Sequence, residues 1–511
     1  MEFITNHILS WILFFPVLGV VALSLVPARA EKSLRLTALA ASLVPFALTV
    51  YLWIAYQAVP DPSGFAFQEQ MEWFPAIHSS YHVGVDGISI VLLLLTTLLT
   101  PLSLLASRSI HHHLKAYLIL FMLLETGMLG VFVALDLLIF FVFWEIGLIP
   151  MYFLINQWGG ENRNYASLKF ILFTMGGSLG LLLAIQMIGA VSGTFDLVTL
   201  FKTWPAIQEA SLFGLPTQTV KTIAFWAFVV AFAIKVPVWP VHTWLPDAHT
   251  EAPTAGSMIL AGVLLKLGAY GFLRLVLPLF PAESRQFAVW LAVLAAASII
   301  FGAFAASGQK DFKRLVAYSS INHMGFVILG IAAAAWAGGS TDAAVRQSGV
   351  IAAGGAVLQM FTHGLSAAGM FFLVGVIYDQ AHTRLLDRFG GLYAILPVYG
   401  SILIFTSMAS LGLPGLGGFV SEFMVVRGAW PVFTWITAVS MLGLLFTGVY
   451  VLKALKLVLQ GPLNTDWKGH LKDITPGEIV VIAPLMILTF LIGVWPSWIM
   501  QIINQTIMTW F

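Results

Sequence analysis

Residues 233–271 read AIKVPVWPVHTWLPDAHTEAPTAGSMILAGVLLKLGAYG. This stretch joins two apolar runs, near 221–241 and 255–278, and each run contains a lysine, Lys235 in the first and Lys266 in the second. Pro237 and Pro240 follow the first lysine, and because proline removes backbone hydrogen-bond donors, we expect the helix to break beside the charge. Both runs are long enough to cross the hydrocarbon of a bilayer. The stretch therefore predicts two membrane-spanning helices, the first of them broken.

The composition of the whole chain agrees with a membrane location. Hydrophobic residues make up 59% of the 511 residues and charged residues 9%, and the mean hydropathy is +0.93. A water-soluble fold of this length needs more charge to cover its surface. The net charge of +1 gives no indication of a nucleic-acid partner. Cysteine is absent, which excludes disulfides, haem–thiolate ligation and cysteine-ligated iron–sulfur clusters in this chain.

Fourteen apolar stretches are long enough to be spans, so we predict an all-α integral membrane protein. The run from Trp11 to Val26 lacks a basic leading region and a small-residue cleavage site, and it is interpreted as the first span rather than a signal peptide. The predicted spans lie near 8–26, 34–56, 84–106, 116–134, 137–155, 168–191, 221–241, 255–278, 286–306, 314–337, 350–378, 395–427, 431–459 and 476–499.

The distribution of lysine and arginine predicts the orientation. Of the 24 basic residues, sixteen lie in alternate loops beginning with the first, and five lie in the opposite loops. The positive-inside rule assigns the first set to the cytoplasm, so both termini are expected on the other side. The remaining three, Lys235, Lys266 and Arg274, lie within spans.

Six ionisable residues fall near the middle of predicted spans, and Glu125 is a lesser member of the same kind. A charge at the centre of a membrane helix costs roughly 2.5–3.5 kcal/mol even on the most lenient scale, so such residues must be paired, hydrated or neutralised. A buried lysine whose charge is stabilised by a nearby carboxylate can load and release a proton when that partner moves. The six, hereafter the charged series, are Glu145, Lys235, Lys266, His323, His363 and Glu422.

Within this series Glu145 is the expected partner of Lys235, and the histidines suit a relay because imidazole titrates near neutral pH. A static ion pair that locks helices together, and helix–helix hydrogen bonds made by the histidines, are the alternative interpretations. The number of buried ionisable residues in one chain favours proton transport over both.

A second break is expected at Leu413-Pro414-Gly415, just before Glu422. Two broken helices in corresponding halves are typical of inverted-repeat transporters with a site at mid-membrane. Spans 4–8 and 9–13 are therefore predicted to form two inverted five-helix repeats with broken helices 7 and 12. The predicted domains are an N-terminal three-helix segment (1–115), the two repeats (116–278 and 279–459) and a C-terminal helix (460–511).

Two histidine-containing segments are not interpreted as metal sites. The adjacent residues 111–113, all histidine, cannot converge on one ion from a helix, and they lie in a basic loop. The loop with His242, Asp247, His249 and Glu251 has ligand-type side chains, but its prolines favour a rigid turn. A metal remains the less favoured interpretation there.

Four stretches resemble a known family: FFVFWEIGLIPMYFLI, residues 233–271, KRLVAYSSINHMGF and LPGLGGFVSEF. The chain is similar over essentially its whole length to the antiporter-like membrane subunits of respiratory complex I. Related subunits occur in cation/proton antiporters and membrane-bound hydrogenases. Glu422 indicates the subunit M (chain 4) branch, since subunits L and N usually have lysine there, and the sequence ends without the long lateral helix of subunit L.

The resemblance implies a role for each member of the charged series. Glu145 and Lys235 match the family's ion pair, Lys266 its central lysine, His323 and His363 the link between half-channels, and Glu422 the terminal carboxylate. It implies NADH, FMN, iron–sulfur clusters and quinone on partner subunits, with none in this chain. Expected partners are the neighbouring subunits L and N, in a bacterial inner membrane. Two other functions stay open: a subunit of a cation/proton antiporter or hydrogenase, and a passive membrane scaffold.

Overall fold

The computed structural model describes residues 6–59, 64–208, 211–212 and 214–511. Within these residues the chain is almost wholly helical. The helices are α1 Ile8–Leu25, α2 Glu31–Gln57, α3 Gly87–Ala106, α4 Leu114–Val133, α5 Leu137–Trp158, α6 Arg163–Ser192, α7 Leu197–Ala206, α8 Thr217–Lys235, α9 Trp244–Glu251, α10 Thr254–Leu279, α11 Pro281–Ser307, α12 Phe312–Ala337, α13 Ala343–Ala381, α14 Pro397–Leu411, α15 Gly417–Ala429, α16 Thr434–Leu459, α17 Pro476–Val494 and α18 Ser497–Ile507.

Thirteen of the described helices are long and apolar enough to cross a membrane, and each corresponds to a predicted span. The chain is a multi-pass membrane protein. The remaining predicted span, 395–427, is divided into α14 and α15, of 15 and 13 residues, and neither half alone reaches the length of a span.

Both chain breaks predicted from proline and glycine are present, and each lies near a charged residue of the series. Helix α8 ends at Lys235, and the chain continues without regular helix to α9, through Pro237 and Pro240. Between α14 and α15, Gly412 and Gly415 have φ of +81° and +92°, a conformation that residues with a side chain rarely adopt. Glycine at these two positions lets the chain turn sharply and restart as a helix.

The membrane core is built around a few helices that are surrounded by the others. In the apolar 18-residue stretch of each helix, all residues of α10 and α13 and 94% of those of α12 are buried, whereas only 28% are buried in α17. These inner helices carry Lys266, His363 and His323. The fold therefore shields the middle of the charged series from lipid.

The polar connections contain small β-structures that the all-α prediction missed. The strands Ala66–Phe74 and Ser79–Val85, β1 and β2, form an antiparallel hairpin that follows α2. Two-residue strands, Ser211–Leu212 and Leu215–Pro216, pair between α7 and α8. Residues 60–63, 209–210 and 213 of these connections lie outside the described part of the chain.

Candidate functional site

Lys266 lies on the buried helix α10 and is itself fully buried. Two π-helical segments, Leu260–Leu264 and Phe272–Val276, flank its position on α10. The wider winding of a π-helix changes which carbonyl oxygens are bonded by the backbone. Here the Ala261 carbonyl, five residues before the lysine, accepts a hydrogen bond from Lys266 Nζ at 2.5 Å. The ammonium group thus has a polar partner without a carboxylate beside it.

The second partner of Lys266 is a histidine on the neighbouring helix α13. Nζ of Lys266 lies 2.7 Å from Nδ1 of His363. The other ring nitrogen of His363 is buried without a hydrogen-bond partner among the described residues. The ring of His323, on α12, has its centre 5.5 Å from that of His363. Three helices therefore place one lysine and two histidines next to one another in space.

Glu422 completes this sequence from the far side of the second chain break. Its Oε1 lies 2.7 Å from Nδ1 of His323 and accepts a hydrogen bond from Nε2 of Gln359 at 2.9 Å. Its Oε2 points to the break, because a Cβ on Gly412 would lie 3.4 Å from that oxygen. The carboxylate is buried, with 4% of the residue exposed. Its buried position is stabilised by charge-assisted hydrogen bonds.

The polar surroundings of this end were missed at the sequence level. Nε2 of His323 lies 3.1 Å from the hydroxyl of Ser410 and 3.3 Å from that of Tyr450. Gln359 lies one helical turn before His363, on the same face of α13, and this i, i+4 spacing was the available signal. No sequence spacing relates Ser410 or Tyr450 to the histidine, because they come from different helices.

Lys235 and Glu145, the expected partners, are close but not in direct contact. No nitrogen–oxygen contact within 4.0 Å joins the two described side chains, although Glu145 is the acid whose charge acts on Lys235. The Lys235 ammonium instead lies over the ring of Trp144, 5.0 Å from its centroid, as a cation–π contact. Oε1 of Glu145 is buried and has no hydrogen-bond partner among the described residues. At this end of the charged series the carboxylate and the ammonium group are therefore not hydrogen-bonded to each other.

A close helix contact brings Lys235 beside the helix of Lys266. Gly268 on α10 faces α8, and a Cβ there would lie 2.8 Å from the Phe232 carbonyl oxygen and 3.0 Å from Lys235 Cβ. The small residue allows the backbones to approach, as in other membrane helix pairs. Four members of the charged series thus follow one another through two hydrogen-bond contacts and one tilted ring contact, and the other two lie at the Lys266 end.

Other buried charges have separate partners. Arg274, the third basic residue within a span, forms a 2.5 Å ion pair with Asp86, which also caps α3. Glu125 is fully buried beside Thr100 and has no hydrogen bond or ion pair to the charged series. Lys313, expected in a loop, is buried at the start of α12 and donates to a backbone carbonyl.

Asp247, His249 and Glu251, predicted to lie in a loop, lie instead in helix α9, and their side chains are engaged in other contacts. His249 is fully buried, and its ring stacks on Phe371 with the centroids 4.3 Å apart. Asp247 pairs with Lys169 at 2.7 Å, and Glu251 accepts from a backbone N–H. Within the described residues, no group of three or more His, Cys, Asp or Glu is arranged to hold a metal ion.

Family models match most of the chain. The family described as "NADH:quinone oxidoreductase/Mrp antiporter, TM" matches residues 134–447, which include all six members of the charged series. The family described as "NADH-ubiquinone oxidoreductase chain 4, amino terminus" matches residues 33–134. Together the two matches run without a gap from α2 to α16.

Individual relatives extend over nearly the full length. "NADH-quinone oxidoreductase subunit M" of Rhodobacter capsulatus is 40% identical over 98% of this chain and 96% of its own. "NADH-ubiquinone oxidoreductase chain 4" of Arabidopsis thaliana is 37% identical, covering 96% and 94%.

Solved structures have the same fold. A chain of respiratory complex I from Thermus thermophilus superposes with a TM-score of 0.84 at 28% identity, covering 98% of this chain and 100% of that one. A chain of the Mrp complex from Dietzia gives 0.80 at 21% identity, covering 98% and 97%, which establishes a common fold. The chain belongs to the family of antiporter-like membrane subunits of NADH–quinone oxidoreductase, on its subunit M (chain 4) branch.

Proposed function

We propose that this chain is a proton-translocating membrane subunit of a NADH–quinone oxidoreductase, coupled to NADH oxidation and quinone reduction on other subunits. The observation that carries the proposal is the buried sequence Lys266–His363–His323–Glu422. Its first and last links are contacts of 2.7 Å, short enough for direct proton transfer. Burying such a run of ionisable groups in a membrane costs free energy, and residues of this kind usually have a function.

The proton moves by a series of exchanges, after which Lys266 is reprotonated from the Lys235 end and each imidazole returns to its first tautomer by exchanging ring protons with water. The Lys266 ammonium gives a proton to Nδ1 of His363 and becomes a neutral amine. His363 then releases the proton on its Nε2, and a bridging water carries it to His323, whose ring centre is 5.5 Å away. His323 passes a proton from Nδ1 to the Glu422 carboxylate. Release from Glu422 completes the step.

Lys235 and Glu145 act as the loading end of this path. The two side chains do not touch. A movement that brings the carboxylate to the lysine therefore stabilises the protonated form of Lys235, and withdrawal of the carboxylate favours proton release. The cation–π contact with Trp144 holds the ammonium meanwhile. This pair is the element through which redox events elsewhere in the complex act on the chain.

The energy comes from other subunits. Moving one charge against the membrane potential costs roughly 2.3 kcal/mol per 100 mV. With no cysteine in the sequence, the chain cannot hold a thiolate-ligated iron–sulfur cluster, and we assign NADH, FMN, iron–sulfur clusters and quinone to partner subunits. Its neighbours in the membrane are subunits L and N. It lies in a bacterial inner membrane with both termini on the non-cytoplasmic side, as the positive-inside rule predicts.

Two inverted repeats, 116–278 and 279–459, provide the frame, between the segments 1–115 and 460–511. Matched caps support this division. Asp136 caps the start of α5, and Asp311 caps the start of α12. Each also forms an isolated β-bridge with a residue beyond the next two helices, Asp136 with Asp196 and Asp311 with Leu385. Each proposed repeat contains one broken helix.

A cation/proton antiporter subunit is the second candidate function, and the fold shared with the Mrp chain favours keeping it. The two candidates differ in what drives the protons. Membrane vesicles containing the native complex distinguish them. NADH-driven proton uptake that is unaffected by an imposed sodium gradient supports the first function, and proton movement driven by that gradient without NADH supports the second.

The test of the proposed path is Lys266→Ala in the assembled complex, with proton pumping and quinone reduction measured together. Lys221→Ala is the matched control. Lys221 is also buried, but it donates to the backbone carbonyls of Pro205 and Ile207, away from the charged series. We expect pumping to be lost only in Lys266→Ala. Normal pumping in that variant would refute the path, and a loss of assembly in both would favour the passive scaffold.

A further inference from the structure

A groove lies at the end of helices α2, α3 and α4 that faces the first basic loops. Its volume is about 160 Å³, and it is lined by five leucines and two arginines. Leu36 and Leu105 are among the leucines, and Arg35 and Arg108 are the arginines. The groove thus combines an apolar wall with two positive charges, and the charged series does not reach it.

Neither arginine of the groove is neutralised by an acid. Arg35 donates to the backbone carbonyls of Ser107 at 2.9 Å and Ile110 at 2.5 Å. Arg108 packs against the first turn of α17, because a Cβ on Gly477 would lie 2.2 Å from its Nη1. In the described part of the chain no carboxylate lies within 4.0 Å of either guanidinium. Both side chains are therefore held in place with their charge unpaired.

The segments around the groove add further positive charge. Arg29 lies in the connection before α2, and Lys32 and Lys115 lie in the first turns of α2 and α4. The acid among them, Glu31, is engaged by Nδ1 of His111 at 3.2 Å. Anionic groups are attracted to this end of the molecule.

The groove opens onto a face of α2 that is suited to hydrocarbon. Leu36, Leu43, Val50 and Ile54 are exposed by 57%, 44%, 37% and 64%. Spacings of seven and four residues keep them on one side of the helix. This stripe begins at the groove and runs toward the opposite surface of the membrane.

We propose that the groove binds an anionic phospholipid, with its phosphate between Arg35 and Arg108 and the start of one acyl chain along the leucines. Guanidinium groups match phosphate oxygens in geometry and charge. The leucine wall and the exposed stripe supply the apolar surface for the chain. A zwitterionic lipid gains less, because its headgroup carries no net charge to balance the two arginines.

Quenching by brominated lipids tests this in the full chain, reconstituted into vesicles. Because the chain has no cysteine, Leu43→Cys and Ile54→Cys each provide one position for a fluorescent label. Dibrominated phosphatidylglycerol and phosphatidylcholine serve as quenchers. We expect phosphatidylglycerol to quench more strongly at position 43 but equally with phosphatidylcholine at position 54, which is near the other leaflet.

Substitutions of the arginine then identify the charge responsible. Arg108→Gln should lower the relative affinity for phosphatidylglycerol at position 43 about fivefold, the equivalent of one interfacial basic residue. Arg108→Lys should retain most of it, and Arg29→Gln, outside the groove, should retain nearly all. Unchanged quenching at position 54 shows that each variant is folded.

Several outcomes would overturn the proposal. Equal quenching by the two lipids at position 43 is one, and equal effects of Arg108→Gln and Arg29→Gln are another, since these indicate diffuse attraction. In the intact complex, Arg108→Gln should reduce by one the phosphatidylglycerol molecules retained after detergent washing. No such loss would mean that a neighbouring subunit covers the groove.

Discussion

Gly268→Ala tests whether the close approach of α8 and α10 controls proton transfer between Lys235 and Lys266. Gly268 is where the two helices meet, and it lies two positions after Lys266 on the same helix. The substitution adds one methyl group, changes no charge and removes no hydrogen bond. Any effect on pumping must therefore come from the distance between the helices.

The structure gives the size of the expected displacement. The added Cβ would lie 2.8 Å from the Phe232 carbonyl oxygen, whereas ordinary contact begins at 3.4 Å, so the helices must separate by about 0.6 Å. The obstructing atom belongs to the backbone and cannot rotate away. Overpacking of this kind costs about 1–3 kcal/mol. If about 1.4 kcal/mol of that strain enters the barrier between the lysines, transfer slows tenfold.

The assay compares proton pumping with quinone reduction in vesicles containing the assembled complex. NADH oxidation by a water-soluble acceptor serves to show that assembly is intact. Gly176→Ala is the matched control, since a Cβ there meets nothing within 4 Å. We expect slower coupled turnover only in Gly268→Ala. Pumping at the parental rate in a Gly268→Ala complex of normal abundance would refute the reasoning.

Three further predictions concern other parts of the structure. Glu422→Gln keeps the shape and the hydrogen-bond acceptor but cannot take up a proton, so pumping should stop while the purified complex keeps its subunit composition. Arg274→Met should lower the stability of the protein by about 3–5 kcal/mol, because Asp86 is left buried and unpaired, and Arg274→Met with Asp86→Asn should recover most of the loss in a thermal unfolding assay. Burial raises the pKa of Asp196, but hydrogen bonds from His82 and Thr199 lower it more, so the folded-state pKa lies below the usual 3.8. The stabilising contact is therefore fully present above pH 3.8 and is lost as the pH falls through the lower folded-state pKa. Hydrogen exchange of residues 66–85 should accelerate in that pH range in the parent but not in Asp196→Asn.

Much of the fold was predictable because lipid imposes simple rules on the sequence. Apolar length located the spans to within a few residues, and proline and glycine located both breaks. The hairpin β1–β2 was missed, since its nine- and seven-residue strands lie in polar connections where hydropathy carries no information. Lys313 was assigned to a loop because a basic residue next to a span is usually exposed, and burial on a carbonyl of another segment depends on tertiary packing.

The connections of the proposed site could not be read from the sequence. Charge within apolar runs was the signal that selected the six residues of the charged series, and their role stays a prediction. The order Lys266, His363, His323, Glu422 does not follow the chain, because α13 lies between α10 and α12, so only a tertiary structure reveals it. The distance between Glu145 and Lys235 could not be predicted either, because the sequence does not give the separation between two facing helices.

These unequal contacts indicate where the path is controlled. The links from Lys266 to His363 and from His323 to Glu422 are already hydrogen bonds, so they need little rearrangement to pass a proton. Among the described residues the pair Glu145–Lys235 has no direct contact, and the buried Glu145 Oε1 has no hydrogen-bond partner. In the proposed path, the step without a direct contact therefore lies between α5 and α8, and we expect a shift of α5 that brings Glu145 to Lys235 to change the charge acting on the connected residues.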